Sequence, residues 1–140
     1  MKISARNVLA GTVAKVTKGA VNAEVDLQLA GGESIAAIVT NTSVDRLGLK
    51  EGLKAFAVIK ASEVMVATDL NGMKLSARNV LPGVVSSVQD GVVTSEVTIT
   101  LPGGSMVVAS ITKTSAHALN LAKGANACAI IKASNVVVGV

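Results

Sequence analysis

The stretch GAVNAEVDLQLAGG, residues 19–32, decides the fold, and the chain writes it again as GVVTSEVTITLPGG at 91–104. In the first version Val21, Ala23, Val25, Leu27 and Leu29 alternate with Asn22, Glu24, Asp26 and Gln28. A period of two puts the apolar set on one face of a strand and the polar set on the other. Gly31–Gly32 then supplies a hairpin turn, and Ile35–Val39 returns as the next strand.

Reading outward from this hairpin, Val8–Val16 alternates weakly and predicts a preceding strand. On the other side, TSVDRLGL (42–49) predicts a short helix. Thr42 or Ser43 serves as its cap, and Asp45 stands in the first turn near the positive end of the dipole. Gly52 closes the excursion, and Ala55–Ile59 and Val64–Ala67 predict two more strands. Three strands, a helix and two strands make the order of a small OB-type barrel, with a simple sandwich as the competing arrangement.

The duplication runs through the whole chain. KISARNVLAG (2–11) returns as KLSARNVLPG (74–83), TNTSVDRLGL (40–49) as TKTSAHALNL (112–121), and VIKASEVMV (58–66) as IIKASNVVV (130–138). A single offset of 72 aligns residues 2–68 with 74–140 without a gap, and about half of the aligned positions are identical. Thr68–Gly72 (TDLNG) between them is turn-rich and reads as a linker. The expectation is an all-β chain of two tandem OB-like five-stranded barrels, residues 1–70 and 71–140, each with a short helix between its third and fourth strands. Units this small gain by burying surface against each other or against other subunits. Val64–Ala67 and Val136–Val138 are too apolar to stand as open edges, which predicts a homo-oligomer.

Composition narrows the function. Hydrophobic residues make up 50% of the 140, with one Phe and no Tyr or Trp, and charged residues 16%, so the chain is built to fold. Cys128 is the only cysteine and has no partner for an internal disulfide. No apolar run follows the first charge of MKISARN, and no run reaches membrane-spanning length. The expectation is a cytoplasmic protein with no membrane partner. A net charge of +4 and a pI near 9.5 on an OB-like frame raise single-stranded nucleic acid as an alternative ligand. Such binders stack bases on aromatics, and here there is only Phe56, with the cations dispersed among acids. Catalysis finds little support. No Cys/His cluster has zinc spacing, and Cys128 and His117 align with Phe56 and Asp45 in the first copy. Glu24/Glu96 recurs but sits mid-strand, where it reads as a cross-strand partner. The expectation is a protein that is not an enzyme.

The two copies also sort their own polar residues. Lys15/Ser87, Asp26/Thr98, Glu33/Ser105 and Lys54/Asn126 have drifted. Ser4/Ser76, Arg6/Arg78, Asn7/Asn79, Thr40/Thr112, Thr42/Thr114, Ser43/Ser115, Lys60/Lys132 and Ser62/Ser134 have not. The retained set is rich in donors, and Glu24/Glu96 is its one acid, a balance that suits an anion. Each element has an ordinary reading beside this one: a helix cap, a solvated lysine, a surface turn.

SARN, then T-x-x-S leading into a helix, then KA after a valine-rich strand resembles the Mop domain of the molbindins, once per copy. No helix-turn-helix and no Gly-rich Walker loop accompanies it in these 140 residues. The resemblance implies a di-Mop protein with an OB-like fold, assembled most simply as a trimer. It implies molybdate, with tungstate possible, held between domains for intracellular storage and buffering. Carried over residue by residue, the ligands are Ser4, Arg6, Thr40, Ser43, Lys60 and Ala61, and in the second copy Ser76, Arg78, Thr112, Ser115, Lys132 and Ala133. The alanines would give backbone N–H groups. SARN of one domain is expected to meet T-x-x-S and KA of a neighbour. Arg46 is Ala118 in the second copy and Asp45 is His117, so the two classes of site would differ. The chemistry agrees: a tetrahedral dianion without a proton satisfies a pocket of donors, whereas monohydrogen phosphate brings a proton that finds no acceptor.

Overall fold

The computed structural model describes residues 1–140. The first copy contributes β1 (Asn7–Lys18), β2 (Asn22–Leu29), β3 (Ser34–Thr40), α1 (Asn41–Leu47), β4 (Lys54–Ile59), a 3-10 turn (Ala61–Glu63) and β5 (Met65–Ala67). The second contributes β6 (Asn79–Asp90), β7 (Thr94–Thr100), β8 (Met106–Thr112), α2 (Lys113–Ala118), β9 (Asn126–Ile131), a 3-10 turn (Ala133–Asn135) and β10 (Val137–Gly139). The chain is all-β in two five-stranded antiparallel sheets with one short helix each, as the alternation predicts.

The assignment of the fifth strands needs correction. The sheets run β10-β4-β1-β2-β3 and β5-β9-β6-β7-β8, so each is finished by the strand of the other copy. Val137–Gly139 pairs with Phe56–Val58, and Met65–Ala67 pairs with Cys128–Ile130. The sequence repeat and the folded unit are therefore different partitions of the chain. Lys60–Val64, with its 3-10 turn, connects β4 to β5 and carries β5 away from β4 to the opposite sheet. One hydrophobic cluster of 28 buried residues spans both halves, with Leu27, Ile35 and Ile59 meeting Ile99, Val107 and Ile131 in the same continuous core.

Each long first strand serves two neighbours. Asn7–Thr12 pairs with β4 and Gly11–Lys18 with β2, with a register shift between Val13 and Lys15 that bends the strand from one partner to the other. Gly11 sits where the strands crowd: a Cβ there would lie 2.7 Å from Gln28 O. Gly83 and the shift between Val85 and Ser87 repeat the device in the second copy. The two Gly-Gly hairpin tips also meet, and a Cβ on Gly31 would stand 2.6 Å from Gly103 O.

The helix is capped two to three residues earlier than the sequence suggests. Thr40, not Thr42 or Ser43, is the N-cap of α1, and its Oγ1 accepts from Ser43 N–H at 3.0 Å. Thr112 does the same for Ser115 at 3.1 Å. Asp45 consequently lies beyond the first turn, where Lys18 of β1 takes it at 2.5 Å. Val21, expected inside, precedes β2 and is exposed, because β2 begins at Asn22.

Candidate functional site

The buried residue of SARN is its asparagine. Asn7 Nδ2 donates to Val108 O at 2.8 Å, and its Oδ1 accepts from Val108 N at 2.7 Å. Asn79 takes both backbone groups of Ala36 in the same way. The amide side chain imitates a strand residue and pins each SARN segment to the edge strand of the other half. Asn7 and Asn79 are 1% and 2% exposed, so what recurs as a polar pair in sequence is an interdomain clamp.

Arginine follows the same direction. Arg6 donates to Glu96 through Nη1 and Nη2 at 2.6 and 2.7 Å. Arg78 forms the matching ion pair with Glu24. The recurring glutamate is thus an arginine's partner across the halves, a role that its expected cross-strand position leaves out.

Two grooves gather eight of the twelve predicted ligand residues. The first, about 580 Å³, is lined by Ser4, Ala5 and Arg6, by Lys60, Ala61, Ser62 and the carboxylate Glu63 of the same copy, and by Ser134 and Asn135 of the other. The second, about 350 Å³, joins Ser76, Ala77 and Arg78 to Lys132, Ala133 and Ser134, with Ile38 and Met65 of the first copy on its wall. SAR therefore meets the KA segment of its own copy, where a neighbouring domain was expected. In both copies the lysine is the N-cap of a 3-10 turn and makes no side-chain capping bond. The first N–H groups of such a turn have no acceptor within it, which leaves Ala61 and Ala133 as donors beside an ammonium.

The threonine–serine pairs stand apart. Thr40, Ser43, Thr112 and Ser115 line neither groove. Within one chain each pair is closed on itself, the threonine hydroxyl donating to the serine Oγ at 2.9 Å in the first copy and 2.8 Å in the second. The chain alone thus brings together Ser4, Arg6, Lys60 and Ala61, and Ser76, Arg78, Lys132 and Ala133, but not the hydroxyl pairs.

Beside the helices the copies diverge by an exchange of charge. Lys18 of β1 holds Asp45 of α1, while the aligned Asp90 of β6 faces His117 of α2 at 3.2 Å. The Ser95 hydroxyl at 2.5 Å and the His117 ring hold the Asp90 carboxyl below its ordinary value. Cys128 is half-buried on β9 opposite Ala67 and Pro82.

A TOBE domain model matches the chain twice, over residues 3–66 and 75–138. The chain belongs to the TOBE-domain family. Its two TOBE domains are of the Mop type, so the resemblance carried by the two SARN segments holds. The chain is 45% identical over 140 residues to the molybdenum transport protein ModE of Herbaspirillum seropedicae, covering 100% of this chain and 52% of the relative. It is 46% identical over 137 residues to the molybdenum-pterin-binding protein MopA of Rhodobacter capsulatus, covering 98% and 52%. It spans about half the length of these curated relatives. Molybdenum-pterin-binding protein 3 of Clostridium pasteurianum matches one TOBE copy, 50% identical over 66 residues, which is 47% of this chain and 97% of the relative. Among solved structures, the cytoplasmic molybdate-binding protein ModG, in a form with molybdate bound, superposes with a TM-score of 0.98 at 50% identity, covering 100% of this chain and 99% of that one. No helix of the TOBE pair is long and apolar enough to cross a membrane.

Proposed function

We propose that this chain binds molybdate, and tungstate with it, as free tetrahedral oxyanions, and that it stores and buffers them in the cytoplasm. The observation that carries the reading is the convergence of a serine hydroxyl, an arginine, a lysine and an uncapped turn N–H in each groove. These are donors and positive charges, suited to a dianion with four equivalent oxygens. The molybdenum-related names of the relatives and the molybdate in ModG support the same ligand. The role is binding, with no catalytic step.

The sites use Ser4, Arg6, Lys60 and Ala61, and Ser76, Arg78, Lys132 and Ala133, each completed by a threonine–serine pair, Thr40 with Ser43 or Thr112 with Ser115, from a neighbouring chain. Two features support assembly. The hydroxyl pairs lie away from the grooves of their own chain. The edge strands β5 and β10 expose Met65 and Val137 beside those grooves. A homotrimer is the assembly proposed, with occupancy coupled to association.

Calorimetric titration with molybdate tests the reading on wild type, Lys60→Ala, Lys132→Ala and the double variant. Each single variant should weaken its own class of sites by roughly 1.5–3 kcal/mol and spare the other. A double variant that binds with wild-type affinity and stoichiometry would place the anion elsewhere. Metal analysis of protein from cells grown on both oxyanions compares molybdate with tungstate, and light scattering tests the trimer.

A further inference from the structure

We propose that Glu96 and Glu24 set the affinity of the two grooves, each as a built-in carboxylate holding the arginine that an oxyanion must take over. The inference rests on the preceding reading that the oxyanion engages Arg6 and Arg78. Glu24/Glu96 is the one acidic position kept in both copies, while Asp26, Glu33, Asp45, Glu51, Glu63 and Asp90 all face a different residue type in the other copy. Whatever fixes it concerns both halves.

The geometry shows a divided arginine. Arg6 lines the first groove, yet both of its terminal nitrogens are spent on Glu96. Glu96 does not line that groove. It sits on β7 of the other half, in a shallow polar depression with Gln89, Asp90, Thr94 and Ser110. Arg78 lies between the second groove and Glu24 in the same manner. A guanidinium fork recognises a carboxylate and a tetrahedral oxyanion by the same pair of parallel N–H donors. The two ligands therefore exclude one another at that edge.

Exposure favours exchange. The side chains of Arg6 and Glu96 are 54% and 34% exposed, and exposed pairs are weak enough to be displaced. A dianion brings two charges against the one of Glu96. The carboxylate thus lowers the affinity of every anion by the strength of the pair it must surrender, which keeps weakly held monoanions out of the groove. Docking of the halves does not depend on this pair, because Asn7 and Asn79 and the shared core already fasten them.

Glu96→Gln keeps the size and one acceptor and removes the charge. Molybdate titration of the full chain should then show the Arg6 groove binding about fivefold tighter, the order an exposed ion pair is worth. Glu24→Gln should tighten the Arg78 groove alike, each variant leaving the other groove at its wild-type Kd. Glu96→Asp, one methylene too short for the two-pronged contact, should also tighten binding and carries the test if the Gln variant fails to fold. A residue that merely ties the halves together would weaken binding when replaced. Wild-type protein that binds molybdate, with variants that bind equally or more weakly, overturns this proposal alone. Wild-type protein that takes up none overturns the functional reading and this proposal with it.

Discussion

Asn79 grips Ala36 by both ends of its backbone, donating to the carbonyl at 2.9 Å and accepting from the N–H at 2.8 Å across the boundary between the halves. Ala36 is buried, so its backbone N–H and C=O both lose their partner when the amide is removed. Asn79→Ala should destabilise the chain by about 2 kcal/mol, the order for orphaned buried polar groups. Asn7→Ala should cost less, because its partner Val108 is only partly buried. Denaturant unfolding of the two variants checks the ranking, and an equal or reversed order would contradict it.

The contact of the hairpin tips admits no side chain. Gly103→Ala drives a methyl into the Gly31 backbone, and since both partners are main chain, neither yields cheaply. A loss of about 1–3 kcal/mol is expected, as for overpacked interiors. Gly139→Ala, with open space at its Cβ, serves as the neutral control. Matching melting temperatures for the two would refute the contact.

Acid should act through Asp90. Its carboxyl is held low first by the Ser95 hydroxyl and then by His117, so the folded value lies below the unfolded one. Such a group stabilises the fold above its unfolded pKa and loses that contribution as the pH falls through the folded value. Asp90→Asn should therefore flatten the acid limb of the stability curve below about pH 4 while leaving its alkaline side unchanged. Ser95→Ala, which removes the first of these causes, should reproduce part of the effect. Melting temperature against pH for the two variants decides it.

A single copy should be unable to finish its own sheet. Residues 1–70, expressed alone, retain β5 but lack β10, and β5 does not reach β4. The fragment should pair with itself, each β5 completing the other molecule's sheet, and run as a dimer whose melting temperature rises with concentration. A folded monomer with concentration-independent melting would show that β5 turns back after all.

Much of this architecture is legible in the sequence. Alternation at 22–29 gives β2 and its face, Gly31–Gly32 the hairpin, and the repeat doubles every element. The exchange of β5 and β10 is not legible, because both are three-residue apolar strands with equivalent neighbours in either sheet. Local propensity is the same for both pairings, so neither segment carries a signal that chooses between them. At the site, the retained serines, arginines and lysines announce themselves as donors. Asn7 and Glu96 announce nothing of their partners, Val108 and Arg6, which lie 101 and 90 residues away. The Thr40–Ser43 pair reads equally as ligand and as cap, since a hydroxyl before a helix can serve an anion or accept from the backbone N–H three residues on.

The crossed strands also set an order in time. During synthesis β4 emerges with its outer edge bare, and its partner β10 follows about eighty residues later. At typical elongation rates that interval is roughly 4–16 s, long beside the microseconds in which hairpins form. The second sheet has no such delay, since β5 is already waiting when β9 appears. Nascent chains therefore pass through a stage in which one barrel is complete except for a single open seam, and it is there that two growing chains on one messenger would first mispair.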